Sequence, residues 1–374
     1  MREIHKLNVE YNGQLVGVMA EDATGKIAFQ YDSDWITNGF SINPFSLPLN
    51  QNVFLPKSYT FDGLFGVFSD SLPDGWGRLL VDRMLSAQKL SPTSVSPMQR
   101  LSIVGKMGMG ALEYIPNLLK FTEEDRTDFD ILSKECEKIL REENSEELDS
   151  LFRLGGSSGG ARPKVLTQIE NHHWIVKFPS SFDRKSIGEE EFRYMKCAEK
   201  CGIKIPNVKL FLSQEYRGYF GAKRFDRVND KKVHMITVSG LLETSHRVPN
   251  LDYNDLMKLT YILTKDRTQI EEMFRRMCFN VFSHNRDDHS KNFSYFYDDA
   301  EHRWKLTPAY DLTYSNSIGG KHATTVNGNG KDPTKEDLLT VAKNIRLDMQ
   351  KSRNTLTEIE EIVQCELGDI IRSY

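Results

Sequence analysis

A chain of 374 residues is longer than one hydrophobic core usually fills, so two or three packed units are expected. Its composition, 39% hydrophobic, 10% aromatic and 27% charged, excludes a fibrous or intrinsically disordered chain. With 49 Lys and Arg against 53 Asp and Glu the net charge is -4, which excludes a broad basic field able to hold nucleic acid unaided; any DNA contact is expected to run through a partner.

The start, Met1-Arg2-Glu3-Ile4-His5-Lys6, lacks the apolar stretch of a signal peptide, and no later run reaches the roughly 18 apolar residues of a membrane span. No membrane association and a cytoplasmic location are therefore expected. The first hundred or so residues alternate short apolar runs with turn signals: Leu15–Met19 follows Asn12-Gly13, and Ile27–Tyr31 follows Thr24-Gly25. This predicts a small β-rich unit. Within it, Asp70 or Ser71 is placed to cap a helix through Leu79, Leu80, Val81 and Met84. Gly105-Lys106-Met107-Gly108-Met109-Gly110 misses the dinucleotide-binding spacing and reads as a tight turn entering the strand Ala111–Ile115.

Residues 122–150 are charged and helix-forming, and the sparse stripe Ile131, Leu132, Ile139 and Leu140 predicts a solvated connecting helix or helix pair. The cluster Leu154-Gly155-Gly156-Ser157-Ser158-Gly159-Gly160-Ala161-Arg162-Pro163-Lys164 then leads into the strand Val165–Ile169. A second strand, Trp174–Phe178, follows across Glu170-Asn171-His172-His173, predicting a hairpin. A helix is expected over Gly188–Cys201, stopping at Gly202 before Pro206, and strands around Val208–Leu212 and Tyr219–Phe225. Beyond about residue 250 the pattern turns helical: Ile270, Met273, Phe274, Met277 and Val281 mark a helix that ends just before Asn285. Five scattered cysteines suit reduced thiols; Cys197 and Cys201 share a helix face, but no nearby His or second pair completes a zinc site.

The chemistry concentrates in Asn285-Arg286-Asp287-Asp288-His289-Ser290-Lys291-Asn292-Phe293. A hairpin, Phe293–Tyr297 and Arg303–Leu306 with its turn at Asp298-Asp299, brings its ends together, so Asn292 and Asp311 can face one space. Their carboxamide and carboxylate suit Mg2+, a cation that prefers oxygen ligands and phosphates. Asp287 is then placed to accept a hydroxyl proton, and Lys291 to offset charge on a migrating phosphoryl group. Two other readings stand beside this one: a solvated helix cap and turn, or a metal-dependent phosphohydrolase centre at His284, Asp287, Asp288 and His289.

Upstream, Ser157, Ser158, Gly159 and Gly160 offer backbone amides to phosphate oxygens, although a Gly-Ser linker has similar composition. Lys164 follows the glycines, but Val165 stands where a Walker loop needs Ser or Thr. Lys177 lies in an apolar strand and needs a partner if buried; ATP phosphates and a carboxylate from Glu189-Glu190-Glu191, with Glu191 the candidate, would serve. Loop, strand lysine, helix glutamate and the Asp-Asn-Asp set follow the order used by protein kinases.

Four strings, Gly160-Ala161-Arg162-Pro163-Lys164, Arg224-Phe225-Asp226-Arg227, Asp288–Phe293 and Leu306-Thr307-Pro308-Ala309-Tyr310-Asp311-Leu312, closely resemble those of the HipA family of toxin kinases. Leu72-Pro73-Asp74-Gly75 and Val104-Gly105 with Gly110-Ala111-Leu112 look like the family's N-terminal subdomain. The resemblance implies an α+β, two-lobed, protein-kinase-like fold: a β-rich subdomain over 1–120, a kinase N-lobe over 121–247 and a mainly helical C-lobe over 248–374. It implies ATP and Mg2+ as cofactors, Asp287 as catalytic base, Asn292 and Asp311 as metal ligands and Lys177 as the phosphate-holding lysine. It places Lys223 and Phe225 on the linker that meets adenine, and Ser157 at the position where family members autophosphorylate, with Ser158 beside it. It further implies a helix-turn-helix antitoxin of the HipB kind that carries the DNA contact, and a protein substrate such as an aminoacyl-tRNA synthetase whose phosphorylation arrests growth. A weakly active or silent corepressor scaffold is the alternative. After Asp311, Leu312-Thr313 replaces the Phe-Gly of ordinary protein kinases.

Overall fold

In the computed structural model, residues 4–118, 128–143, 145, 147–229 and 231–374 are described. The chain divides into two compact units, Met1–Lys185 with Phe211–Ser245, and Ser186–Leu210 with His246–Tyr374. It is an α+β protein, with most strands in the first unit and the long helices in the second.

The first unit opens with strands β1 (Lys6–Tyr11), β2 (Gln14–Glu21) and β3 (Ile27–Tyr31), joined by β4 (Leu112–Ile115) in an antiparallel sheet of order β3-β2-β1-β4. Alternation sets its buried face: Leu7, Val9 and Tyr11 of β1 point inward. Asn12 and Gly13 both take positive φ, as a two-residue hairpin requires. Gly105 and Gly110 also have positive φ, consistent with the expected turn before β4.

His234, 1% exposed, lies in this unit with its Nε2 2.9 Å from the Ile42 carbonyl oxygen. Burial pushes its imidazole down to about 4, against the opposing pull of that carbonyl. The folded chain therefore holds it neutral where the unfolded chain, with an imidazole near ~6.5, takes up a proton; stability is lost as pH falls from there, by up to about 3 kcal/mol. His234→Gln should flatten this dependence between pH 7 and pH 5 in chemical denaturation. Equal acid sensitivity in both proteins would refute the assignment.

Helix α1 spans Gly75–Ala87 and buries Trp76, Leu80, Val81, Met84 and Leu85. Neither Asp70 nor Ser71 caps it, contrary to expectation. A short helix, Gly66–Ser69, ends at Asp70, whose carboxylate accepts from the Thr237 N–H and hydroxyl at 2.8 Å each. Ser71 meets the Tyr114 hydroxyl at 2.8 Å. Pro73 lacks an N–H and disfavours helix at Leu72, which delays the start of α1.

The expected solvated helix also needs correction. Helices α2 (Phe129–Leu140) and α3 (Leu148–Gly155) both enter the core, where Phe129, Leu132, Cys136, Ile139, Leu151, Phe152 and Leu154 pack with Trp76, Val165, Val176 and Phe178. The buried stripe uses Phe129 and Cys136, both outside the expected one, and Ile131 is 50% exposed. Residues 122–127 of that expectation lie outside the described residues.

Strands β5 (Lys164–Ile169) and β6 (His172–Lys177) form the expected hairpin through a two-residue turn, Glu170-Asn171, tighter than the four residues anticipated. Strand β7 (Tyr219–Lys223) pairs with β6, antiparallel. It stops before Phe225 because Arg224 turns toward the buried Asp226 carboxylate.

In the second unit, α4 (Ile187–Lys200) ends at Gly202, φ 75°. Helices α5 (Tyr253–Thr264), α6 (Arg267–Phe282), α7 (Lys335–Asn344) and α8 (Met349–Ser373) pack around Met273, Phe274, Met277, Ile359 and Val363. The hairpin β8 (Ser294–Asp298) and β9 (Arg303–Leu306) follows α6. All five cysteines are free thiols, with only Cys365 exposed. Among the described residues no helix is long and apolar enough to cross a membrane.

Candidate functional site

The proposed site residues fall on both units. In the first, α3 ends at Gly155 and the chain turns through Ser157–Gly160 before entering β5. The Ser158 hydroxyl donates to the Gly155 carbonyl at 2.6 Å, and Lys164 Nζ donates to the Gly159 carbonyl at 2.5 Å. The segment is thus a folded loop with internal bonds rather than a linker. Ser157 is 6% exposed and its Oγ has no hydrogen-bond partner.

The β5–β6 register sets Lys164 directly opposite Lys177. Opposed residues of an antiparallel pair share a face, and two like charges there repel each other. An anion on that face would relieve the repulsion. The Lys177 ammonium also lies 5.5 Å from the centre of the Phe220 ring on β7. Lys223 pairs with Trp174, three residues along β6 from Lys177, so it stands about 10 Å away along the strand. Phe225 lies in the turn beyond.

In the second unit, α6 ends at Phe282 and the chain enters an irregular loop. Asn285 anchors it: its N–H donates to the Asn280 carbonyl and its Nδ2 to Asn280 Oδ1, both at 2.9 Å. Asp288, 1% exposed, is held by the Tyr253 hydroxyl at 2.9 Å, by the Thr324 N–H at 3.1 Å and by His322 Nδ1 at 3.0 Å. Its neighbour faces the other way: the Asp287 side chain is 59% exposed, with His289 Nε2 3.8 Å from its Oδ1.

Two bonds then tie the segments that carry the metal candidates. Asn292 Nδ2 donates to the Asp287 backbone carbonyl at 2.7 Å, which closes the loop and leaves the amide oxygen available. The Tyr310 hydroxyl donates to the Lys291 carbonyl at 2.7 Å, which sets the residue before Asp311 against the residue before Asn292. Asp311 has φ 52°, a conformation that side-chain-bearing residues rarely adopt and that recurs at functional sites. Glu191, 2% exposed, lies near the start of α4 in the same unit.

An amide oxygen and a carboxylate are hard donors that fit Mg2+, which is commonly held by one or two carboxylates plus phosphates. Among the described residues no three His, Cys, Asp or Glu converge. Of the residues in the phosphohydrolase reading, Asp288 is committed to Tyr253, Thr324 and His322, and the His284 ring stacks on Tyr314 at 6.4 Å.

Sequence reasoning did not find Tyr310, His322, Thr324 or Asn280 as supports of this loop. Tyr310 alone carried a local signal, since it directly precedes Asp311.

The sequence profile of the HipA-like C-terminal domain matches residues 156–366, and that of the HipA N-terminal domain matches residues 7–115. A protein of Sinorhizobium fredii named "Putative kinase Y4mE" is 25% identical over 347 residues, covering 83% of this chain and 77% of its own length. A "Putative kinase" of Haemophilus influenzae is 26% identical over 181 residues, 42% of this chain and 52% of the relative. Among solved structures, HipA in the Shewanella oneidensis complex of HipA, HipB and operator DNA superposes with a TM-score of 0.74 at 19% identity, covering 98% of this chain and 91% of that one.

Proposed function

The chain belongs to the HipA family, and from that premise we propose that it is an ATP-dependent protein kinase acting on serine or threonine. The observation that supports the reading is the Tyr310–Lys291 bond, which ties the residue before Asp311 to the residue before Asn292, in the loop that also carries the exposed Asp287 carboxylate. Asn292 and Asp311 would hold Mg2+, which when bound offsets negative charge on the phosphates. Asp287 takes the proton of the incoming hydroxyl. The hydroxyl oxygen bonds to the γ-phosphorus as the bond to the bridging oxygen breaks and ADP leaves. Lys164 and Lys177 supply positive charge for the nucleotide phosphates, and the amides of Ser157–Gly160 supply donors. Lys291 is proposed to offset charge on the migrating phosphoryl group, Glu191 is the proposed glutamate of the nucleotide site, and Lys223 and Phe225 are the proposed adenine-binding residues. Ser157 is the proposed autophosphorylation site.

A small helix-turn-helix antitoxin of the HipB kind is the proposed partner. The operator-bound HipA complex supports it, as does the chain's acidic balance, which leaves DNA contact to the partner. An aminoacyl-tRNA synthetase is the proposed substrate class, and growth arrest the outcome. Purified, unphosphorylated protein incubated with γ-labelled ATP and Mg2+ should transfer label to itself and to a protein in cell extract. No transfer would overturn the reading, and free phosphate without labelled protein would favour a hydrolase.

Tyr310 offers a finer test, because its hydroxyl supports the metal pair without touching substrate. Tyr310→Phe should raise the Mg2+ concentration for half-maximal rate by on the order of tenfold. An unchanged Mg2+ titration would show that the bond does not set the site.

A further inference from the structure

We propose that the N-terminal turn of α1, Asp74-Gly75-Trp76-Gly77, is a seat that holds the glycine loop in its nucleotide-accepting shape, with Asp74 as a positioning residue. Asp74 occupies the N-cap position of α1, yet its side chain makes no capping bond to its own helix. An aspartate there ordinarily accepts from the second or third amide of the helix. This one accepts instead from the Gly160 N–H, 86 residues along the chain. The bond is reciprocated: the Trp76 N–H donates to the Gly160 carbonyl at 2.9 Å, and the Trp76 indole N–H to the Lys164 carbonyl at 3.0 Å. Three bonds from one helical turn therefore grip the end of the loop and the first residue of β5.

The two glycines of the turn make the approach possible. A Cβ at Gly75, which has φ 43°, would stand 2.4 Å from the Gly160 carbonyl oxygen, and one at Gly77 would stand 2.2 Å from the Ser158 carbonyl oxygen. Both obstacles are backbone, so neither can swing aside. The spacing Asp-Gly-Trp-Gly thus has a physical purpose: acceptor, contact, double donor, contact.

The phosphotransfer chemistry makes no use of Asp74, and a carboxylate beside a phosphate-binding loop repels the ligand. Its presence is explained by what it does before the nucleotide arrives. A loop of small residues loses much conformational freedom on ordering, and a loop already ordered binds without that loss. The Trp76 amide is spent on the Gly160 carbonyl and the Arg78 amide on the Asp74 carbonyl, so this helix end supports the loop. The nucleotide part of the proposal rests on the kinase reading; the seat itself does not.

The test uses the full chain as parent, Asp74→Ala and Asp74→Asn, the last keeping an acceptor oxygen. Hydrogen exchange of Ser157–Ala161 is followed without nucleotide, and binding of Mg2+ with a non-hydrolysable ATP analogue is measured by calorimetry. Asp74→Ala should exchange faster and bind the analogue roughly tenfold more weakly, the factor expected for one lost charge-assisted bond. Asp74→Asn should stay near the parent in both. Should Asp74→Ala fail to fold, Asp74→Ser, which can still cap the helix but is too short to reach Gly160, carries the same comparison. Unchanged exchange would overturn the seat. Tighter binding by the variant would also overturn it, showing Asp74 to be a latch that competes with phosphate. If no form binds the analogue, the kinase reading fails while exchange alone still decides the seat.

Discussion

Replacing Asp287 by alanine is expected to lower phosphotransfer by on the order of 10³-fold, the middle of the range for a lost general base. Folding should hardly change. The side chain is 59% exposed, so the contacts it makes, the one with His289 Nε2 at 3.8 Å among them, are screened by solvent and stabilise little. The contact that shapes the loop uses the Asp287 carbonyl, which alanine retains, and the buried anchor is Asp288. Single-turnover transfer of label from ATP, with Asp287→Ala and parent at equal concentration, gives the rate ratio, and a thermal melt gives the fold. A rate within tenfold of the parent would remove Asp287 from the role of base. A collapsed melting temperature would show it to be structural.

The largest stability effect is expected at Asp226. This carboxylate is 2% exposed and receives Arg224 at 2.9 and 2.7 Å, Arg227 at 2.9 Å and the Gly110 N–H at 2.8 Å. Burial alone pushes its pKa upward, but the charges of Arg224 and Arg227 outweigh burial and hold it well below the usual carboxylate range. Asp226→Asn leaves two guanidinium groups, 5% and 7% exposed, without their counter-charge. Breaking such a buried set from one side costs about 3–5 kcal/mol. Because the folded carboxylate is more acidic than the unfolded one, its contribution is fully present above the ordinary value of ~3.9 and is lost as pH falls through the depressed folded value. The parent should therefore weaken toward strong acid more steeply than the variant. Three of the four tryptophans, Trp35, Trp76 and Trp174, lie in the same unit as Asp226, so tryptophan fluorescence during urea unfolding follows the relevant part of the chain. An unchanged midpoint and slope at neutral pH would contradict the prediction.

These two sites differ in how they could be read from sequence. Asp287 sits in a local string whose meaning depends on Asn292 and Asp311, and the alternation in β8 and β9 exposed the hairpin that links them. The helix before it was equally legible, because Ile270, Met273, Phe274 and Met277 repeat with the helical period and are all buried. Period-two and period-3.6 patterns survive in sequence because each residue reports its own burial. The pairings that hold the site do not. Asp288 finds His322 and Thr324 more than thirty residues later, and Asp74 finds Gly160 86 residues later. Such bonds join single residues and leave no periodic trace. Charge misled in α2, where acidic and basic residues on the outer face masked a buried stripe that runs through Phe129 and Cys136.

The amide of Asn292 explains why this position is asparagine and not aspartate. A carboxylate would bind a divalent cation more strongly, but it would also present a second lone-pair-bearing oxygen to the Asp287 carbonyl, 2.7 Å from where the amide nitrogen now donates. Asparagine is bifunctional: one end closes the ring of backbone at Asp287, and the other is the oxygen that the proposed site would offer to Mg2+. If Asn292 holds the cation as proposed, a change at this one side chain would reach both functions together, and loop curvature and metal affinity could not be adjusted independently.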